Sequence, residues 1–125
     1  HNYDFGSLWI EPASAWRIIA PTLPGPIPFT TGGDMAMWVS RNQGKSWKLH
    51  RRLTAATEFN HTYARKPVNA HPDFYALWAD GHTLRPSDSS LYFTNKEGTA
   101  IYRLPRKMTA DFAKPELVPL PPQRK

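Results

Sequence analysis

The stretch Ser40-Arg41-Asn42-Gln43-Gly44-Lys45-Ser46-Trp47 decides the fold class. It lies between two apolar runs, Asp34–Ser40 and Ser46–Leu53, whose residues suit strands better than helices. In such a stretch the Asn42 side chain can accept backbone N–H groups inside the turn. Gly44 supplies a left-handed position, the Ser46 hydroxyl braces the loop, and Trp47 packs beneath it. The expectation is a hairpin with Asn42 bonded to turn backbone and Trp47 largely buried.

Working outward, eight strand candidates fall into two groups of four. The first group is Gly6–Glu11, Ala15–Ala20, Asp34–Ser40 and Ser46–Leu53; the second is His61–Val68, Asp73–Ala79, Ser90–Thr94 and Ala100–Leu104. A polar connection, Thr54–Asn60, separates them. Asn95-Lys96-Glu97-Gly98 stands between the last two strands of its group, as Asn42-Gln43-Gly44 does in the first, and Gly98 matches Gly44 in suiting a positive φ. Glu11-Pro12-Ala13-Ser14 breaks the first pair, and prolines 21, 24, 26 and 28 stiffen the loop to Gly33. From Met108 on, Pro115, Pro119, Pro121 and Pro122 describe an extended strap or a disordered end.

Each group has the size of one four-stranded propeller blade. Met35–Val39 and Phe74–Trp78 are apolar on both faces, as stacked blades require; an antiparallel β-sandwich explains part of the same pattern. The expected fold is therefore all-β: two four-stranded antiparallel blades of a β-propeller, over residues 1–53 and 54–107, followed by a proline-rich tail at 108–125. The chain opens on His1, which reads as a processed product or a piece of something longer.

The 125 residues carry 16 Lys and Arg against 10 Asp and Glu, a formal charge of +6. That balance favours polyanionic partners: nucleic acid, uronate-bearing or sulfated polysaccharide, or anionic lipid. Lys45, Lys48, Arg51 and Arg52 form one cluster; Arg103, Arg106, Lys107, Arg124 and Lys125 form another. Solvated strand edges, where lysine blocks stray pairing, account for the same residues. No cysteine is present, which removes disulfides, thiolate metal sites and thiol nucleophiles. His61, His71 and His82 lack tight ligand spacing, so no metal or other cofactor is expected. Glycine-rich phosphate loops and recognition helices are absent, and the aromatics fall at core positions, so nucleic acid is not an expected partner. No apolar run has the length of a membrane span, and no membrane partner is expected. Asn60-His61-Thr62 fits the glycosylation sequon.

Three polar and aromatic clusters stand apart from plain strand building. They are His1, Asn2, Tyr3 and Asp4; His61, Tyr63 and Arg65; and Asn69, His71 and Asp73. The spacing of two puts His61, Tyr63 and Arg65 on one face of a strand. On an innermost strand they reach a central pocket. Such a trio suits β-elimination on a uronate: arginine neutralises the carboxylate and stabilises the enolate-like transition state. His or Tyr removes the carbon-bound proton and protonates the leaving oxygen. His61, Tyr63 and Arg65 are thus the candidate catalytic residues, and His1, Asn2, Tyr3, Asn69 and His71 the candidate substrate-binding ones. The same row could also brace a blade interface.

The stretch 40–47 resembles the Asp-box, Ser-x-Asp-x-Gly-x-Thr-Trp, with Asn42 and Ser46 in place of its aspartate and threonine. With His1-Asn2-Tyr3-Asp4, Trp16–Pro21, Asn60–Arg65 and Asn69–Tyr75, the chain up to about Lys107 resembles the C-terminal part of the BNR-4 repeat family. These are secreted bacterial propellers related to sialidases and including ulvan lyases. The resemblance implies a seven-bladed propeller in the whole protein, with the missing blades as partners. It also implies a secreted or periplasmic location and an anionic polysaccharide as substrate. Ulvan lyases resembling this family use His, Tyr and Arg, which fits His61, Tyr63 and Arg65 by residue type. The alternatives are a sialidase-like hydrolase and a non-catalytic glycan-binding propeller. The hydrolase would need an arginine triad and a Tyr–Glu pair, and no Tyr–Glu pairing is evident in the sequence.

Overall fold

The computed structural model describes residues 6–11 and 15–123. These residues form an all-β structure with no helix and two antiparallel sheets that do not close on each other. The first sheet runs in chain order: β1 (Ser7–Trp9), β2 (Trp16–Leu23), β3 (Asp34–Ser40) and β4 (Lys48–Arg52). The second is β5 (Asn60–His61), β6 (Ala76–Gly81), β7 (Leu91–Thr94), β8 (Ile101–Arg103) and β9 (Glu116–Val118). It therefore has five strands, where the sequence reading expected four. Prolines 115 and 119 flank Glu116–Val118 without entering it, so this part of the tail is free to pair with β8, Ile101 opposite Val118.

The turn at 40–47 is built as its residues demand. Asn42 Oδ1 accepts the Ser46 N–H at 2.9 Å and the Ser40 hydroxyl at 3.0 Å, while its amide donates to Ser46 Oγ at 2.8 Å. Gly44 takes φ 86° and donates its N–H to Ser40 Oγ. Trp47 bonds the Gly44 carbonyl through its indole N–H but is only half-buried, at the entry to β4, the edge strand of the sheet.

The turn between β7 and β8 repeats this device. Asn95 Oδ1 accepts the Thr99 N–H at 2.9 Å, and its amide donates to Thr99 Oγ1 at 2.8 Å, matching the Asn42–Ser46 pair at the same spacing of four. In each unit the first paired residue of the next strand, Lys48 or Ile101, stands two places beyond the hydroxyl. The second turn is a shorter form of the first, with Gly98 at φ 70°. Alanine at Asn42 or at Asn95 removes the three hydrogen bonds that each side chain makes in its turn. Each change is expected to cost about 1–2 kcal/mol in urea denaturation. Equal losses in the two variants are the expected result, and a neutral Asn95→Ala would separate the turns.

One core serves both sheets. Ile19, Met35, Met37 and Leu53 from the first unit meet Tyr75, Ala76, Trp78, Tyr92 and Ile101 from the second. The faces turned away from this core are also apolar. Leu8, Ile18, Trp38 and Leu49 are successive cross-strand neighbours on the first sheet, and Leu77, Phe93, Tyr102 and Leu117 on the second. All eight retain exposure, and Phe74 stacks on Phe93, which stacks on Tyr102, at 4.6 and 5.0 Å.

Buried polar groups tie the units together. His61 exchanges two backbone bonds with Gly33 of the first unit. The Asn60 side chain bonds the Ile27 N–H and the Ile27 and Thr31 carbonyls, so it closes the proline-rich loop as a backbone partner would. Asn60 is 1% exposed, so the sequon's amide is inaccessible in the fold.

Candidate functional site

The row His61, Tyr63, Arg65 does not share a face. His61 pairs with Asp80, but Arg65 pairs with Leu77, so an extra residue enters between the two pairs. A one-residue offset turns every later side chain over. His61 and Ala64 are fully buried, whereas Tyr63 and Arg65 flank Ala64 on the exposed side.

The His61 ring is enclosed and saturated. Its Nδ1 accepts the Trp78 indole N–H at 3.0 Å. Nε2, which then carries the proton, donates to Thr57 Oγ1 at 3.0 Å, and the Thr57 hydroxyl in turn donates to the Phe59 carbonyl. Tyr92 packs edge-on at 4.8 Å. Burial holds the imidazole far below its usual range, at about 3. A base needs a free lone pair and a path to substrate; His61 has neither in this arrangement.

Tyr63 and Arg65 are the accessible members of the trio. The Arg65 guanidinium lies over the Tyr63 ring, 5.1 Å from its centroid. The adjoining Ala64 carbonyl accepts the Ser7 hydroxyl at 2.8 Å, which puts this surface beside β1. An exposed aromatic face with a guanidinium suits a sugar ring carrying a carboxylate.

Asn69 and His71 lie further along, exposed, in the loop before β6. Asn69 takes φ 52°, and His71 Nδ1 accepts the Asp73 N–H, so both shape this turn. Asn69 also lines a cleft of about 590 Å3 between the sheets, with Trp9, Glu11, Lys66, Tyr75 and Lys96. His1, Asn2 and Tyr3 lie outside the described residues.

This cleft contains a pairing that sequence reading missed. The Tyr75 hydroxyl donates to Glu11 at 2.7 Å, and Lys96 holds the other Glu11 oxygen at 2.6 Å. Sixty-four positions separate Tyr75 from Glu11, and no local pattern links them. Burial opposes ionisation of Glu11, but Lys96 and Tyr75 outweigh it and hold the carboxyl below its ordinary range. Burial, then the Glu11 carboxylate, pushes the Tyr75 phenol upward. An activated phenol nucleophile needs the opposite shift, and Tyr75 is 2% exposed with its ring stacked on Trp9 at 5.0 Å. Tyr75, Glu11 and Lys96 therefore work as a half-buried clamp between the units.

Among the described residues no three His, Asp or Glu side chains come close enough to share a metal ion. No family model, no curated protein and no solved structure matches the chain.

Proposed function

We propose that the chain supplies two consecutive blades of a larger Asp-box β-propeller of the BNR repeat type, and that it recognises an anionic polysaccharide. Three features support the blade reading: the four strands β1–β4 in simple order, the twin asparagine turns before the fourth strand of each unit, and the outward apolar rows. A two-layer sandwich buries its apolar faces inward and leaves its outer faces polar. Here Ile18, Trp38 and Leu49 on one side and Phe93, Tyr102 and Leu117 on the other need covering, as stacked neighbours would provide.

The exposed Tyr63–Arg65 pair carries the functional reading. Tyr63 offers a stacking face and Arg65 a forked donor for a uronate carboxylate. Recognition is favoured over β-elimination by this chain's own groups, because His61 is closed off from substrate. Turnover would require the proton acceptor to come from Tyr63 or from another blade, with Arg65 neutralising the carboxylate. The resemblance to that family also implies a secreted or periplasmic location.

Calorimetric titration with a uronate oligosaccharide tests this reading. Arg65→Ala should weaken binding by roughly 10- to 100-fold, the scale of a charge-assisted contact, while melting stays within about 1 kcal/mol. Tyr63→Ala should weaken it as well. If neither substitution changes the affinity, the Tyr63–Arg65 surface is not the glycan site.

A further inference from the structure

A second pocket, of about 410 Å3, opens beside the turn at 40–47 on the outer edge of the first sheet. Arg41, Asn42, Ser46, Lys48 and His50 supply its polar wall, over Val39 and Leu49. Its cations have no carboxylate partner, a state shared among the described residues by Arg65, Lys66, Arg85, Lys107 and Lys114, but here they gather round one pocket. Arg17, Lys96, Arg103 and Arg106 each hold a carboxylate, whereas among the described residues Arg41 and Lys48 form no ion pair, nor do the adjoining Lys45, Arg51 and Arg52. No acidic residue lines the pocket.

The turn chemistry leaves donors pointing outward. Asn42 Oδ1 is engaged by the Ser46 N–H and the Ser40 hydroxyl. Ser46 Oγ accepts one Asn42 amide hydrogen, so its own hydroxyl hydrogen and the second Asn42 hydrogen stay available. A carboxylate at position 42 could accept the same two bonds and keep the turn, but would add negative charge to the wall. Asparagine keeps the wall neutral to positive. His50 reports the resulting field: burial first, then Arg51, Arg17 and Arg41, hold it below its usual range, with Glu97 opposing.

We propose that this pocket is a second glycan site, distinct from the Tyr63–Arg65 surface, which takes a single oxyanion group of a polysaccharide, a sulfate ester or a uronate carboxylate. Clustered donors without a counter-charge favour an oxyanion. The floor of Val39 and Leu49 suits the apolar face of a sugar ring, and no Phe, Tyr or Trp lines the pocket to serve as a stacking platform for a nucleobase.

The test titrates the whole chain with a sulfated oligosaccharide, its desulfated uronate counterpart, an uncharged oligosaccharide and a short single-stranded DNA, and follows His50 by NMR. At least one anionic sugar should bind and raise the His50 pKa, because a bound anion favours the imidazolium; comparison of the two identifies the oxyanion. The uncharged sugar should not bind. Asn42→Asp, and separately Arg41→Ala with Lys48→Ala, should weaken the His50-linked binding roughly tenfold or more with melting unchanged. Arg65→Ala should leave it intact. Binding that survives Asn42→Asp and the double substitution overturns the proposal, as does equal binding of the uncharged sugar or tighter binding of the DNA. If all anionic-sugar binding follows Arg65 alone, this pocket is not a site while the Tyr63–Arg65 reading stands. The converse result removes that reading and leaves this one.

Discussion

Replacing His61 with alanine is expected to cost about 3–5 kcal/mol of stability, which for a chain of this size is a large share of the total. The ring is fully buried between Trp78 and Tyr92, so its loss leaves a cavity. It also strands the Trp78 indole N–H, whose acceptor is His61 Nδ1, and takes away the group to which Thr57 is bonded. Orphaning a buried donor carries its own penalty of roughly 1–3 kcal/mol. His61→Asn keeps a hydrogen-bond acceptor close to the Nδ1 position and should recover part of the loss. Urea denaturation measures both variants. Glycan binding should fall only as the folded fraction falls. A loss below about 1 kcal/mol, joined to a collapse of binding in fully folded protein, would return His61 to the site.

The residues that sequence reading handled well make their bonds locally. Asn42, Gly44 and Ser46 lie within five positions, so their turn follows from donor and acceptor chemistry alone, and β3 has the bounds its apolar run suggests. The Asn95 turn is legible as the counterpart of the Asn42 turn in its place and its glycine, but the matching bonds of Asn95 to Thr99 are not. Gly98 stands one place later than Gly44 relative to its asparagine, and no tryptophan follows Thr99. Where the reading failed, the cause lay in partners far along the chain. Alternation at His61, Tyr63 and Arg65 assumes an unbroken strand; the offset between the His61–Asp80 and Arg65–Leu77 pairs is set by β6 and leaves no trace in residues 61–65. Tyr75 meets Glu11 because β1 lies against the loop before β6. Trp47 stays half-exposed beside an edge strand, and a strand's place at the edge is not encoded in a turn motif.

The pH profile should show two desolvated groups, His61 and Asp34, opposing each other. His61 titrates near 6.5 when unfolded but at about 3 in the fold, because burial disfavours the imidazolium. Between those values the unfolded chain holds the extra proton, so stability falls as pH drops through this window. The full shift is worth on the order of 4–5 kcal/mol. Asp34 runs the other way. Burial raises it from 3.8 to about 6, against a lowering bond from the Thr54 hydroxyl at 3.0 Å. Between about 6 and 3.8 the folded chain holds the extra proton, so this contribution is complete at low pH and lost as pH rises through about 6. Asp34 is partly exposed, and solvent screening reduces its share to roughly 1–2 kcal/mol. Over that window the two slopes therefore partly cancel, and below it acid loss becomes steep, reinforced by Glu11 as its carboxylate is protonated. Asp34→Asn retains an oxygen to accept the Thr54 hydroxyl but cannot take up the proton. Its stability should fall by roughly 2 kcal/mol between pH 7 and pH 5, where the unsubstituted chain loses about half as much. Urea midpoints measured at pH 7, 6, 5 and 4 decide the matter: parallel profiles for the two proteins would mean that Asp34 does not titrate in this range.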